Sequence, residues 1–297
     1  MQNHQPKILI VDDDLERATQ WCEELKSHTY GSSSTVLNNN EVLELLQIVE
    51  ERRKAVRTKN DIYNIDCVLD DFDILIVDYD LQDLSQTGHW ATGIQIATLA
   101  RALSKVKTIV LVNQFGTNSF DLRMTQTQNS PADFDVGSAQ LTNPSLWDTA
   151  SNPSCVPWTW HTDLVLRPSQ FSETCEWISQ NFNQPVLQSI GFANTIEGDN
   201  EGTFIAESDW PSGLNGPHCT FKQLVENSDF LPLKDRLDIA SLPECSTRIA
   251  AAIVLGWIDR MVVPSQEILI DVPHLISYYP WLLKDNTSLD NWHKAAS

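Results

Sequence analysis

Positive charge is scarce in this chain. Its 297 residues carry 20 Lys and Arg against 40 Asp and Glu, a formal net charge of -20. A field of that sign repels phosphate backbones, and no Lys/Arg run interrupts it, so nucleic-acid binding is not expected. Paired cysteines are missing as well. The six cysteines (22, 67, 155, 175, 219 and 245) form no Cys-x-x-Cys, and no Cys/His cluster has zinc spacing. Reduced thiols in a cytoplasmic protein are the expectation. Long apolar runs are absent: nothing approaches the ~18 residues of a membrane helix. The first stretch, "MQNHQPKILIVDDD", has no apolar signal region. These features predict a soluble, cytoplasmic chain with no membrane association. Walker loops, dinucleotide fingerprints and Gly-x-Ser-x-Gly elbows are lacking too, and the seven histidines include no i, i+4 ligand pair.

What is present is alternation. "KILIV" (7–11) is a short β-branched apolar run, a buried strand. In 12–28, Leu15, Ala18, Trp21, Cys22 and Leu25 fall at helical spacing behind an acidic first turn. A strand at 34–37 and a helix over 40–59, with Val42, Leu45, Leu46 and Val49 on one face, come next. A strand at 73–77, a helix at 93–105 and a strand at 107–112 continue the series. The segment 114–161 is polar, without helical periodicity, and reads as a long insertion. After it, "TDLVLRPSQF" suggests a last strand at 162–166 and a helix at 172–182. This order predicts an α/β fold, a doubly wound five-stranded parallel sheet, over residues 1–185. A mostly helical module is expected over 186–297.

The strand ends carry the chemistry. The first predicted strand ends in Asp12-Asp13-Asp14, and the strand at 73–77 ends in Asp78-Tyr79-Asp80. In open α/β sheets, ligands sit beyond the carboxyl ends of the strands. If the two strands are neighbours, their carboxylates meet, and like charges a few ångströms apart are costly unless neutralised. A hard divalent cation such as Mg²⁺ suits such a set of oxygens. Asn113 ends the strand at 107–112, and Arg167-Pro168 follows the segment 162–166, so a hydrogen-bonding amide and a cation are expected at the same edge.

The set "ILIVDDD", "DILIVDYD", "TIVLVN" and "LVLRPSQF", in that order, resembles the receiver domain of two-component response regulators, over about residues 6–183. The resemblance implies Mg²⁺ held by Asp12, Asp13, Asp78 and the Asp80 carbonyl. It implies Asp78 as the acceptor of a phosphoryl group from a histidine kinase, Asn113 and Arg167 in the two phosphate-contacting positions, and Gly93 ending the loop after the third strand. Departures make it an atypical receiver: Arg167 and Asn113 stand where the family has Lys and Ser/Thr, and Leu164 where it has an aromatic. The implied role is signalling through protein–protein contacts rather than catalysis of turnover.

Two other readings use the same residues. Asp78-x-Asp80 is similar to the nucleophile and general-acid pair of haloacid-dehalogenase-like phosphatases and to the metal-binding pair of Toprim domains, which implies a metal-dependent phosphohydrolase or nuclease. A degenerate receiver acting as a scaffold, with inert acids, is the third. In 186–297 no helix-turn-helix with a basic recognition helix is visible, so a DNA-binding output is not expected. The aromatic-rich runs around Trp257 and 267–283 fit core packing or a protein contact surface.

Overall fold

The computed structural model describes residues 6–26, 33–58, 60–81, 92–113, 130–141, 163–191, 210–230 and 238–262, with Ser288, Asn291 and Lys294. In chain order the first elements are β1 (Ile8–Val11), α1 (Leu15–Lys26), β2 (Ser34–Val36), α2 (Asn39–Arg57), β3 (Ile74–Asp78), α3 (Gly93–Leu103), β4 (Thr108–Asn113), β5 (Phe134–Gly137) and α4 (Ser138–Leu141). The helices α5 (Asp163–Asn181), α6 (Val186–Ser189), α7 (Phe221–Asn227) and α8 (Pro243–Trp257) follow, and α8 runs into a π-helical turn, Ile258–Val262. Among the described residues, no helix is long and apolar enough to cross a membrane.

The five strands form one sheet in the order β2-β1-β3-β4-β5, with every neighbouring pair parallel. This is the flavodoxin-like, doubly wound arrangement expected from the β-α alternation. Strands of such sheets are covered on both faces, which is why they read as unbroken apolar runs. Alternation along each strand divides the core in two. Ile8, Ile10, Ile74, Ile76, Val110 and Val112 face Ala18, Trp21, Cys22 and Leu25 of α1. Leu9, Val11, Leu75, Val77, Ile109 and Leu111 lie in the cluster that also contains α2, α3, α5, α7 and α8.

The fifth strand is not where the sequence suggests. Residues 163–166 belong to α5, and β5 is "FDVG" at 134–137, inside the segment read as an insertion. The apolar Leu164-Val165-Leu166 run resembles a strand only when isolated. Further along, Arg167, Phe171 and Ile178 are buried at helical spacing. The true strand is four residues long with only Phe134 and Val136 apolar and inward, too little to rise above its polar surroundings. The predicted strand or helix at 267–283 lies outside the described residues.

The sheet and the later helices are joined by a buried charge cluster at the amino edge of the sheet. Asp133, just before β5, accepts from Ile109 N–H at 2.8 Å and from the Arg101 and Arg167 guanidiniums. Arg167 also pairs with Asp259 at 2.8 Å, and the Arg101 and Arg248 guanidinium carbons lie 4.4 and 5.2 Å from the centre of the Phe171 ring. Burial alone would raise the Asp133 pKa, but Arg101, Arg167 and the Ile109 N–H hold it below the usual carboxylate range. Removing one partner of such a cluster strands the others in a low-dielectric interior. Asp133→Ala is therefore expected to destabilise the protein by about 3–5 kcal/mol in urea unfolding, far more than the loss of an exposed pair such as Glu50–Arg53 would.

Candidate functional site

The local chain after β1 explains why three consecutive aspartates occur there. Asp14 caps α1: its Oδ1 accepts from Glu16 N–H and Arg17 N–H, each at 3.1 Å. Asp12 Oδ1 accepts from Asp14 N–H at 2.9 Å, fixing the turn from strand to helix. Asp14 is thus a structural cap, and Asp12 and Asp13 are left to the site.

Register brings the second segment alongside. Ile10 pairs with Ile76 and Val11 with Val77, so the residues that follow, Asp12 and Asp78, end adjacent strands at the same height. Both continue the alternation of the isoleucines that face α1. The Asp12 and Asp78 side chains are 0% and 1% exposed. Oxygens of Asp12, Asp13 and Asp78 lie within 4.8 Å of one another.

Their mutual repulsion is answered from α1. Arg17 Nε donates to Asp12 Oδ2 at 2.7 Å, and its Nη2 donates to Asp12 Oδ1 at 2.7 Å and to Asp78 Oδ2 at 2.8 Å. The same Nη2 stands 3.8 Å from Asp13 Oδ1. Arg17 is a forked, charge-assisted clamp across two strands. Its pKa is raised further by the hydrogen bond to Asp12, against the opposing effect of burial. The clamp does not fully compensate. Burial, then the Asp12 carboxylate, push the Asp78 pKa up to about 7; Arg17 pulls it back, and Asp13 and Asp80 add to the rise.

The third segment at this edge is the start of α3. Gly93 N–H donates to Tyr79 O at 3.1 Å, and Tyr79 N–H donates to Val112 O at 2.8 Å. A β-carbon on Gly93 would lie 1.9 Å from the Asp78 carbonyl oxygen. Glycine is required here by close approach, as the placement of Gly93 at the end of this loop anticipates. Thr92 caps α3 in a reciprocal pair with Gln95, locking that approach.

Of the residues expected at the site, Asp12, Asp13 and Asp78 converge. Asp80 lies two residues beyond β3, near enough to raise the Asp78 pKa, but its carboxylate is outside the convergent set. Asn113 ends β4 and donates to Asp135 Oδ1 at 2.6 Å. Arg167 is placed at the opposite edge of the sheet, in a helix, held by Asp133 and Asp259. The expectation that it brings a cation to the acidic edge is corrected for a topological reason: β5 runs parallel, so a residue tied to Asp133 sits where the strands begin. The cation at the acidic edge is Arg17, which sequence reasoning missed. Its signal was present in "DDDLER", a single base one turn after the acids and beside the buried stripe of Ala18, Trp21 and Leu25.

The oxygen-only donor set is compatible with a hard divalent cation, which Asp12, Asp13 and Asp78 would hold. Two outcomes are expected without any added ion. Gly93→Ala forces the Asp78 backbone to shift and lowers stability by at least about 2 kcal/mol in denaturant unfolding. Asp78 has a raised pKa in the folded state, so its contribution is fully favourable below its unfolded value and is lost as pH rises through about 7. Wild type should therefore lose about 2–3 kcal/mol relative to Asp78→Asn between pH 5 and pH 8. Parallel stability curves for the two proteins would contradict this. Comparison of the chain with protein-family models, curated proteins and solved structures finds no match.

Proposed function

We propose that the chain is a receiver-like signalling protein whose acidic edge takes Mg²⁺ and whose Asp78 accepts a phosphoryl group. The single observation that carries this reading is the convergence of Asp12, Asp13 and Asp78 at the carboxyl ends of neighbouring strands in a β2-β1-β3-β4-β5 sheet. A bound Mg²⁺ would supply neutralisation of phosphoryl oxygens and of the carboxylates themselves. Asp12 and Asp13 would hold it, and Asp78 Oδ would present the nucleophile. In the transfer, a new P–O bond forms at Asp78 as the bond from phosphorus to the donor breaks. The donor's leaving group, imidazole in the case of a histidine kinase, departs with the bonding electrons.

The convergent set leaves out the Asp80 carboxylate, which favours an acceptor over a phosphohydrolase or nuclease built on Asp78-x-Asp80. The output is protein–protein contact: the net charge of -20 opposes a DNA-binding role. Arg167 is committed to Asp133 and Asp259, so phosphate recognition in this reading does not draw on it.

Acetyl phosphate and Mg²⁺ supply the test without a kinase. Asp78 Oδ attacks phosphorus and acetate leaves, giving an acyl phosphate that hydroxylamine releases. Incorporation of one labelled phosphate, absent in Asp78→Asn, together with a rise in melting temperature on adding Mg²⁺ and beryllofluoride, is expected. No incorporation and no thermal response would contradict the proposal.

A further inference from the structure

We infer that Arg17 is a tethered cation that competes with the divalent ion for the acidic edge, so that metal enters only as the guanidinium leaves. This inference deepens the metal-site reading above and rests on it.

The contacts define the competition. Arg17 uses both oxygens of Asp12 and one of Asp78, at 2.7, 2.7 and 2.8 Å. A magnesium-sized ion on those same oxygens stands about 2.0–2.1 Å from each. It would then share Asp12 Oδ1 and Asp78 Oδ2 with Nη2, which has the same sign of charge. Like charges a few ångströms apart on shared oxygens oppose joint occupancy. Arg17 is also the natural member of the pair to move. Its side chain is 26% exposed, whereas Asp12 and Asp78 are buried and anchored at strand ends. In the clamped position the Arg17 guanidinium carbon is also 5.5 Å from the centre of the Trp21 ring, a contact that does not involve the carboxylates.

The consequence is a threshold. With Arg17 seated, only the fraction of molecules with it displaced can bind the ion, and the apparent affinity falls by that fraction. The clamp also offsets part of the cost of two buried carboxylates when no ion is bound, since the same guanidinium donates to both.

The full chain is titrated with Mg²⁺ and with Mn²⁺ by calorimetry, as wild type, R17Q and R17Q/D78N, with circular dichroism confirming the fold. R17Q should bind roughly 10- to 100-fold more tightly than wild type, and R17Q/D78N should lose that gain. In wild type labelled with ¹⁵N, saturating Mg²⁺ should move the Arg17 Nε–H resonance from its hydrogen-bonded position toward that of a free guanidinium. This second readout does not depend on any variant folding. Equal or weaker binding by R17Q, or an Arg17 Nε–H resonance unmoved at saturation, overturns the competition and leaves the metal site standing. Absence of binding by both wild type and folded R17Q overturns the metal site, and the competition with it.

Discussion

Two carboxylates facing each other across adjacent strands are the constraint around which the carboxyl edge of this sheet is organised. Parallel pairing of β1 and β3 in the observed register leaves Asp12 and Asp78 no way to separate, because the isoleucines before them are committed to the core under α1. The charge must be met locally, and α1 meets it with Arg17. That single side chain ties the helix to two strands at once. The chain nearby is closely fitted: Asp14 starts α1 where Arg17 can reach, and Gly93 lets α3 begin against the Asp78 carbonyl.

The amino edge shows the same chemistry with a different outcome. Asp133 is also buried and also held by guanidiniums, from Arg101 and Arg167. There the cations come from α3 and α5, and Arg248 of α8 packs against Phe171, donating to the carbonyls of Arg101 and Val106. The Arg101 side chain is 0% exposed and that of Arg167 6%. Such a cluster is fixed, since moving any member would leave a partner uncompensated in the interior. At the carboxyl edge the clamp is one residue with a path to solvent. The contrast separates a structural joint, which fastens the later helices to the sheet, from an edge whose carboxylates share a single, partly exposed cation.

The fold was largely legible because its central strands are short, fully apolar and bounded by turns and helices with clear periodicity. β1, β3 and β4, and the helices between them, are where the pattern puts them. Asp12, Asp13 and Asp78 were legible for the same reason, since each follows a strand whose end is obvious. The fifth strand was not. Its four residues include Asp135 and Gly137, and their pairing is set by β4 rather than by their own hydrophobicity. The misplacement of that strand carried Arg167 to the wrong edge of the sheet. Arg17 was overlooked because a basic residue in the first turn of an amphipathic helix usually reads as solvated. Only the register of β1 against β3 shows that its fork spans two strand ends.

The most direct measurement is paramagnetic broadening of the backbone amide spectrum by substoichiometric Mn²⁺. Broadening centred on residues 11–15 and 76–80, reversed by excess Mg²⁺ and diminished in Asp78→Asn, is the result predicted for one ion held by Asp12, Asp13 and Asp78. A spectrum in which those resonances stay sharp while others broaden, or in which none respond, would contradict the account.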